Sequence, residues 1–400
     1  MIKNLRENKY YKLFIWSGAI ICAFLIFRQS SLAVMELNWF EVDDFVEYWA
    51  AGSLNLRGKN PYAPEELLLM QNLAGRFGTE AVMMWNPPWT LPLVMPLGLL
   101  SYQVSRTIWM LLNIGLIFIS SDILWRLYGG KQGLRWISWM IGFSFIPVLD
   151  AIKKGQTGIL ILVGIVGFLF FIDKKKNILA GISLALLAIK PHVAYLFLLA
   201  VFLWSLHNLK WQILVGFSLA LAGSMLLTTI SNPNVISQYL YAVSNYPPTD
   251  WATPTIGGIM RLLLGGDYFW LQFFPTILGV FWLFVYFSKR KKDWDWFEQS
   301  PLIILVSLVT TAYGWSFDQP AALVAILPIF VVITSNPWEK ASTIIVSTYL
   351  LIILLNVISP ENEIFLFWFA PVLLIWFLSS QWVLRKLPRL IPEKSGDIVP

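Results

Sequence analysis

Apolar residues fall along this chain in long blocks separated by short polar intervals. The blocks occupy roughly 13–27, 104–126, 136–152, 157–172, 178–190, 192–207, 211–230, 268–288, 300–316, 320–335, 340–358 and 364–384. Runs of this length predict membrane-spanning helices, although several are shorter than the ~20 residues an upright span needs. Counted together they predict about twelve crossings by an all-α polytopic membrane protein. Two intervals depart from the rhythm. The polar island from Asn38 to Asn86 cannot lie in hydrocarbon, yet Val42 to Gly52 spaces its acids, Trp and Tyr as a helix would. We therefore expect a first loop, 35–86, that carries short helices outside the membrane. The second departure is Pro87 to Leu100, where Pro87, Pro88, Pro92 and Pro96 suit a broken re-entrant hairpin, 87–100, packed within protein.

Composition agrees with this class. With 57% hydrophobic, 16% aromatic and 13% charged residues over 400 positions, and a mean hydropathy of +0.66, the chain has more apolar surface than one soluble core could bury. The net charge of +6 is carried in short clusters, Arg126 to Arg135, Lys174 to Lys176, His207 to Lys210, Lys289 to Lys292, Lys340 and Arg385 to Arg389. Clusters that alternate with apolar blocks are the pattern of cytoplasmic loops facing anionic lipid, not of a nucleic-acid surface. With an uncleaved first helix preceded by Lys3, Arg6, Lys9 and Lys12, this alternation predicts both termini in the cytoplasm and the polar motifs outside, as in a bacterial plasma-membrane protein. One integral domain, 1–384, and a cytoplasmic tail, 385–400, follow. A lone Cys22 and two His leave no disulfide framework and no Cys- or His-based metal centre, so we expect neither metal nor cofactor.

The polar motifs that share the predicted outer face are Asp43-Asp44, Arg57 to Tyr62, Trp85-Asn86-Pro87-Pro88, Lys153 to Thr157, Lys190-Pro191-His192, Asn245 to Trp251, Arg261, and Trp315 to Pro320. Adjacent acids beside apolar surface are costly to retain, which makes them a site hypothesis. Blander roles are available for each. Asp43 and Asp44 suit helix capping, Lys190 a snorkelling helix end, Gly155-Gln156 a tight turn, the many Trp and Tyr an interfacial belt, His192 a packed polar residue, and Glu361 and Glu363 solvated loop charge. Glu47 reads as plain loop charge.

The order of several motifs resembles a known family. Asp44-Phe45-x-x-Tyr48-x-Ala50-Ala51-Gly52, then Gly58-x-Asn60-Pro61-Tyr62, the Pro-Pro run to Met95-Pro96-Leu97, Gly155-Gln156, Ala180-Gly181 leading to Lys190-Pro191, and Arg261-Leu262-Leu263 are similar to the polyprenol-phosphate-mannose-dependent mannosyltransferases of glycosyltransferase family 87, which have the GT-C fold. The likeness runs from about Asp44 to Pro328. Where the family pattern is close to Ser-Trp-Asp-His-His, this chain reads Ser316-Phe317-Asp318-Gln319-Pro320.

The resemblance implies a GT-C-like bundle and inverting transfer of a sugar, mannose being expected, from a polyprenyl-phosphate donor to a lipid or glycan acceptor among membrane lipids. Asp44 then aligns with the catalytic base, with Asp43 as runner-up. Such a reaction needs a base for the acceptor hydroxyl and cations for the departing phosphate. Lys190, Arg261 and Arg57 are the candidate phosphate contacts, and Tyr62, Asn86, Gln156, Asp318 and Gln319 the candidate sugar or acceptor contacts. The competing class is a multi-span transporter or lipid flippase, for which inverted repeats and mid-bilayer charges would speak. The acids instead cluster toward one surface.

Overall fold

The computed structural model describes residues 42, 44–335, 339–360 and 362–386. The first apolar block with Cys22, the runner-up acid Asp43, Glu361 and the tail beyond 386 lie outside the described residues. Among the described residues the fold is all helical. Helices α1 (Phe45–Leu56) and α2 (Pro64–Leu73) occupy the polar island. The bundle follows with α3 (Tyr102–Leu127), α4 (Arg135–Ser144), α5 (Ile146–Lys154), α6 (Gly158–Asp173), α7 (Asn177–Leu184), α8 (Tyr195–His207) and α9 (Trp211–Ser231). Two short helices, α10 (Val235–Asn245) and α11 (Ile256–Leu264), precede α12 (Phe274–Arg290), α13 (Trp296–Thr310), α14 (Leu323–Ser335), α15 (Glu339–Val357) and α16 (Phe369–Arg385).

Every apolar block after the first coincides with helix, which makes this a polytopic membrane protein. Five helices are long and apolar enough to cross a bilayer alone, within Tyr102–Leu127, Trp211–Ser231, Phe269–Asp293, Lys340–Val357 and Glu363–Lys386. The block expected as one span at 136–152 is two helices bent by 59°. The break falls at Phe145, whose backbone is extended, and Pro147 in the first turn of α5 starts a new helix there without an amide to join it to the old one. The five remaining apolar helices have 10–17 residues. Side chains facing outward on the long helices are apolar, as on α9 with Leu219, Leu226, Leu227 and Ile230 all exposed, which is the inside-out pattern of a chain bathed in lipid.

Helix α1 is buried from Phe45 to Asn55, acids and amides included. Phe45, Tyr48 and Trp49 form a second apolar cluster with Trp109 of α3, Leu91 and Met95, and the Phe45 and Trp109 rings stack at 5.5 Å. Residues 87–100 form three single turns, Pro88–Thr90, Leu91–Val94 and Leu97–Leu99. They pack against α1, and Thr228 Oγ1 of α9 donates to the Pro88 carbonyl while Asn55 Nδ2 of α1 donates to the Thr228 carbonyl.

Two helices are brought together by the absence of side chains. A Cβ on Gly181 of α7 would stand 2.0 Å from the Ile213 carbonyl oxygen of α9, and one on Gly216 of α9 would stand 2.2 Å from the Ile178 oxygen of α7. This reciprocal contact lets the backbones touch, as small residues do in membrane helix pairs. It fixes α7, and with it the turn Ala185–Ile189 that ends at Lys190. Replacing Gly181 by Leu should overpack the contact and cost about 1–3 kcal/mol or more, read as a lower Tm in detergent. Gly223→Leu, on the same α9 but with nothing within 4 Å of a Cβ, should leave Tm unchanged or raise it; equal losses in both variants would refute the close-contact argument.

Candidate active site

Four separate stretches meet at one end of the bundle. The first is the N-terminus of α1. Asp44 holds the N-cap position but makes no side-chain capping bond; its carboxylate instead accepts from Gln156 Nε2 at 3.1 Å. The capping role available in the sequence is thus not the one the side chain performs.

The second stretch is the turn between α5 and α6. Gly155 ends α5 in a left-handed conformation, φ +66°, and a Cβ there would also meet Phe45 of α1 at 2.5 Å. Only glycine satisfies both conditions. The turn is pinned from α3, where Trp109 Nε1 donates to the Gly155 carbonyl at 2.8 Å and Arg106 Nη2 donates to the last carbonyls of α5, those of Ile152 and Lys153, each at 2.8 Å. Gln156 is thereby driven into the middle of the site. Its Oε1 accepts from Tyr48 Oη at 2.9 Å and from Lys190 Nζ at 3.0 Å, so one buried amide joins the acid of α1 to the ammonium after α7.

The third stretch carries Lys190. Asn86 Nδ2 donates to the Ile189 carbonyl at 3.1 Å and Trp89 Nε1 to that of Ala188 at 2.9 Å, holding the turn before the lysine in place. The fourth is 315–318. Asp318, 2% exposed, accepts from Lys190 Nζ at 2.6 Å and, through its other oxygen, from the Trp315 amide at 3.1 Å. Phe317 lies under two cations, with Lys190 Nζ 4.8 Å and Lys154 Nζ 5.0 Å from its ring centroid, both within cation–π range. Lys154 is paired with Glu363, and Ser316 Oγ donates to Asp150 of α5.

These groups line one cavity of about 880 Å³. Asp44, Glu47, Gln156, Lys154, Lys190 and Asp318 form its polar side. Across from them Tyr239, Val243, Trp251, Phe269, Phe273 and Tyr313 form an apolar, largely aromatic wall, with Trp251 set edge-on to Trp85 and Tyr313 at 6.2 and 6.5 Å. A cavity of this size, mainly apolar with a few convergent polar groups, has the form of a small-molecule site.

The structure brings together Asp44, Asn86, Gln156, Lys190 and Asp318 out of the sequence-derived candidates and sets the others apart. Arg57 is exposed past the end of α1, with its guanidinium on Met70 Sδ. Arg261 donates to Gly266 O at 2.9 Å, to Gln272 Oε1 at 3.1 Å and to the Thr249 carbonyl, and lies over the Phe269 ring; it ties a cavity-wall loop to α11 and does not itself line the cavity. Tyr62 is buried behind the wall, donating to the Asn86 carbonyl at 3.1 Å. Gln319 turns into a small side pocket beside Thr255 and Thr311.

Two residues read as ordinary loop charge belong to the cavity. Glu363 pairs with Lys154. Glu47 is 7% exposed, and burial, reinforced by the Asp44 carboxylate, pushes its carboxyl up to about 8. It therefore holds a proton at neutral pH. Helix geometry gave the signal for Glu47, because it lies one turn after Asp44 and shares its face; no local feature marks Glu363. His192 also lines the cavity, and desolvation with the neighbouring Lys190 lowers it to about 4 against the opposing pull of Asp318. It is neutral at pH 7, which leaves the two lysines as the cations of the polar side.

At the opposite end of the bundle stand Arg126, paired with Asp122 at 2.9 Å, Arg135, paired with the same acid at 2.6 Å, and the turns holding Lys174 to Lys176 and Lys289 to Lys292. The fold is thus a helical membrane bundle with charged groups converging on a large amphipathic cavity at one end. Residues 85–336 match the family model of glycosyltransferase family 87, and the chain belongs to that family. No curated protein and no solved structure matched it. Asn86, Gln156, Lys190 and Asp318 fall within the matched stretch, and Asp44 precedes it.

Glu47 yields a test by pH. Its proton is retained to about pH 8 in the folded chain and lost near 4.5 in the unfolded one, so the folded state binds more protons between those values. Wild-type stability should accordingly fall as pH rises from about 4.5 to 8 and level off above. Glu47→Gln, which cannot ionise, should flatten that decline when Tm is followed from pH 5 to 9 in detergent; parallel curves for the two proteins would show that Glu47 does not hold the proton.

Proposed function

We propose that this membrane glycosyltransferase moves a sugar, with mannose as the expected one, from a polyprenyl-phosphate donor to a lipid or glycan acceptor at the outer face of the membrane. The observation that carries this reading is the Asp44–Gln156–Lys190 bridge. One amide holds a carboxylate on one side and an ammonium on the other within the same cavity, which are the two functions an inverting transfer needs. The acceptor oxygen attacks the anomeric carbon while its proton passes to the Asp44 carboxylate. The bond from that carbon to the phosphate oxygen breaks, its electron pair goes to the phosphate, and Lys190 meets the growing charge. The amphipathic lining suits a sugar phosphate on the polar side and prenyl carbon against the aromatic wall.

The outer location is supported by the charge distribution. The cavity lies at one end and the basic turns at the other, so the positive-inside rule points the cavity outward. Membership in a glycosyltransferase family favours this reading over a transporter.

Two measurements test it. Asp44→Asn keeps the hydrogen-bonding shape but accepts no proton, so transfer from a polyprenyl-phosphate sugar should fall about 10²- to 10⁴-fold while donor lipid still binds. Transfer at the wild-type rate would end the assignment of Asp44 as base. For orientation, cysteines placed at Asn60 and Asn245 should react with an impermeant thiol reagent added to intact cells, and one at Lys291 should not; the reverse labelling would put the cavity on the cytoplasmic side.

A further inference from the structure

We propose that Lys154 is the second cation of the donor-phosphate site, and that Glu363 is an internal carboxylate which the phosphate displaces from it. The inference rests on the polyprenyl-phosphate reading above and replaces Arg57 and Arg261, whose guanidiniums are engaged away from the cavity.

Three observations carry it. First, Lys154 and Lys190 share one aromatic ring, at 5.0 and 4.8 Å from the Phe317 centroid, and both line the cavity. They reach it from different stretches, the end of α5 and the turn after α7, so an anion seated at Phe317 is approached by two independent ammoniums. Second, the two ion pairs differ in kind. In Lys190–Asp318 the side chains are 11% and 2% exposed, and the other Asp318 oxygen is held by the Trp315 amide. In Lys154–Glu363 they are 35% and 21% exposed. Third, Glu363 Oε2 is buried without a hydrogen-bond partner. Its pairing is thus incomplete, which makes exchange for another anion less costly than breaking a fully satisfied pair.

The positions follow from the sequence. Lys154 closes α5 just before Gly155, and the turn that aims Gln156 inward carries Lys154 to the cavity rim. Glu363 opens the turn Glu363–Trp368 ahead of α16 and so reaches the cavity from another part of the chain. A donor phosphodiester carries one negative charge, and the lipid phosphate that leaves carries nearly two. A flexible ammonium freed from Glu363 can follow that increase, while Lys190 stays anchored between Gln156 and Asp318. No proton has to move, because the displaced carboxylate turns toward the cavity mouth.

The test is the affinity of the full-length protein in detergent for a short-chain polyprenyl phosphate, the sugar-free leaving group, by titration calorimetry. Lys154→Gln should weaken binding about 10- to 100-fold, the scale of one charge-assisted hydrogen bond, and Lys154→Arg should restore most of it. Glu363→Gln removes the competitor and should tighten binding. A merely structural ion pair predicts the contrary: both substitutions lower Tm and neither moves affinity, or both weaken it alike, and either result would overturn the proposal. If the wild type does not bind polyprenyl phosphate, the donor reading itself fails. If the wild type binds and Lys154→Gln binds equally well, only the two-cation site fails.

Discussion

Everything in the cavity depends on how a single amide is held. Gln156 cannot rotate, because Tyr48 and Lys190 both donate to its oxygen and Asp44 receives its nitrogen. An amide with its two ends fixed by groups of opposite character keeps a carboxylate and an ammonium at one spacing without letting them neutralise each other. Had Asp44 and Lys190 met directly, the Asp44 carboxylate would be tied to the ammonium instead of turned to the cavity. Lys190 instead takes its countercharge from Asp318, deeper in the protein, where desolvation makes the pair expensive to break and thus permanent; losing one partner of such a pair costs about 3–5 kcal/mol. The Gly155 turn, the Trp109 and Arg106 bonds to it, and the burial of α1 all serve to keep that amide in place.

Much of this was legible in the sequence, and the remainder was not for identifiable reasons. Spans were readable because hydrocarbon demands long apolar runs whatever they pack against. The bend at Phe145 was hidden because one apolar block can be one helix or two, and Pro147 is compatible with either a kink or a new start. Asp44, Gln156, Lys190 and Asp318 stood out as polar groups next to apolar blocks. Arg261 stood out for the same reason, yet its donors went to backbone carbonyls and an amide within its own region, something charge and position do not reveal. Glu47 was passed over although its spacing from Asp44 put both on one helix face, and Glu363 because its place at the cavity is a tertiary fact. The glycines at 181 and 216 were visible as small residues in apolar helices, but their mutual contact required knowing that α7 and α9 cross there.

Most of the aromatic wall comes from a different part of the chain from the charged side, Asp318 being the charged group that shares a connection with Tyr313. Trp251, Phe269, Phe273 and Tyr313 sit on loops and turns around α10 to α13, while Asp44, Gln156 and Lys190 sit on α1 and at the ends of α5 and α7. Arg261 is what ties the 249 loop to the turn at Gln272, and Gln272 in turn donates to the Ala312 carbonyl at 2.9 Å. The wall is therefore braced by its own polar contacts, and it meets the charged side through Tyr313 against His192 and Trp251 against Trp315.

The charges in the cavity also bear on release. With Glu47 protonated, the carboxylates of Asp44, Asp318 and Glu363 outnumber the ammoniums of Lys154 and Lys190, so the empty cavity is not a strong trap for anions. Tight holding of the lipid phosphate would favour the departure of the leaving group and then oppose its exit, since a contact that strengthens as charge grows is strongest to the product. On the proposed reading a carboxylate at the same site answers that conflict: Glu363 would compete for Lys154, and its return to the ammonium would lower the hold on the phosphate once the sugar has moved. The permanent pair, Lys190–Asp318, cannot play this part because Asp318 has no solvent to retreat to. On that reading one fixed and one exchangeable ion pair around the same phenyl ring would divide the work between orienting a phosphate and letting it go.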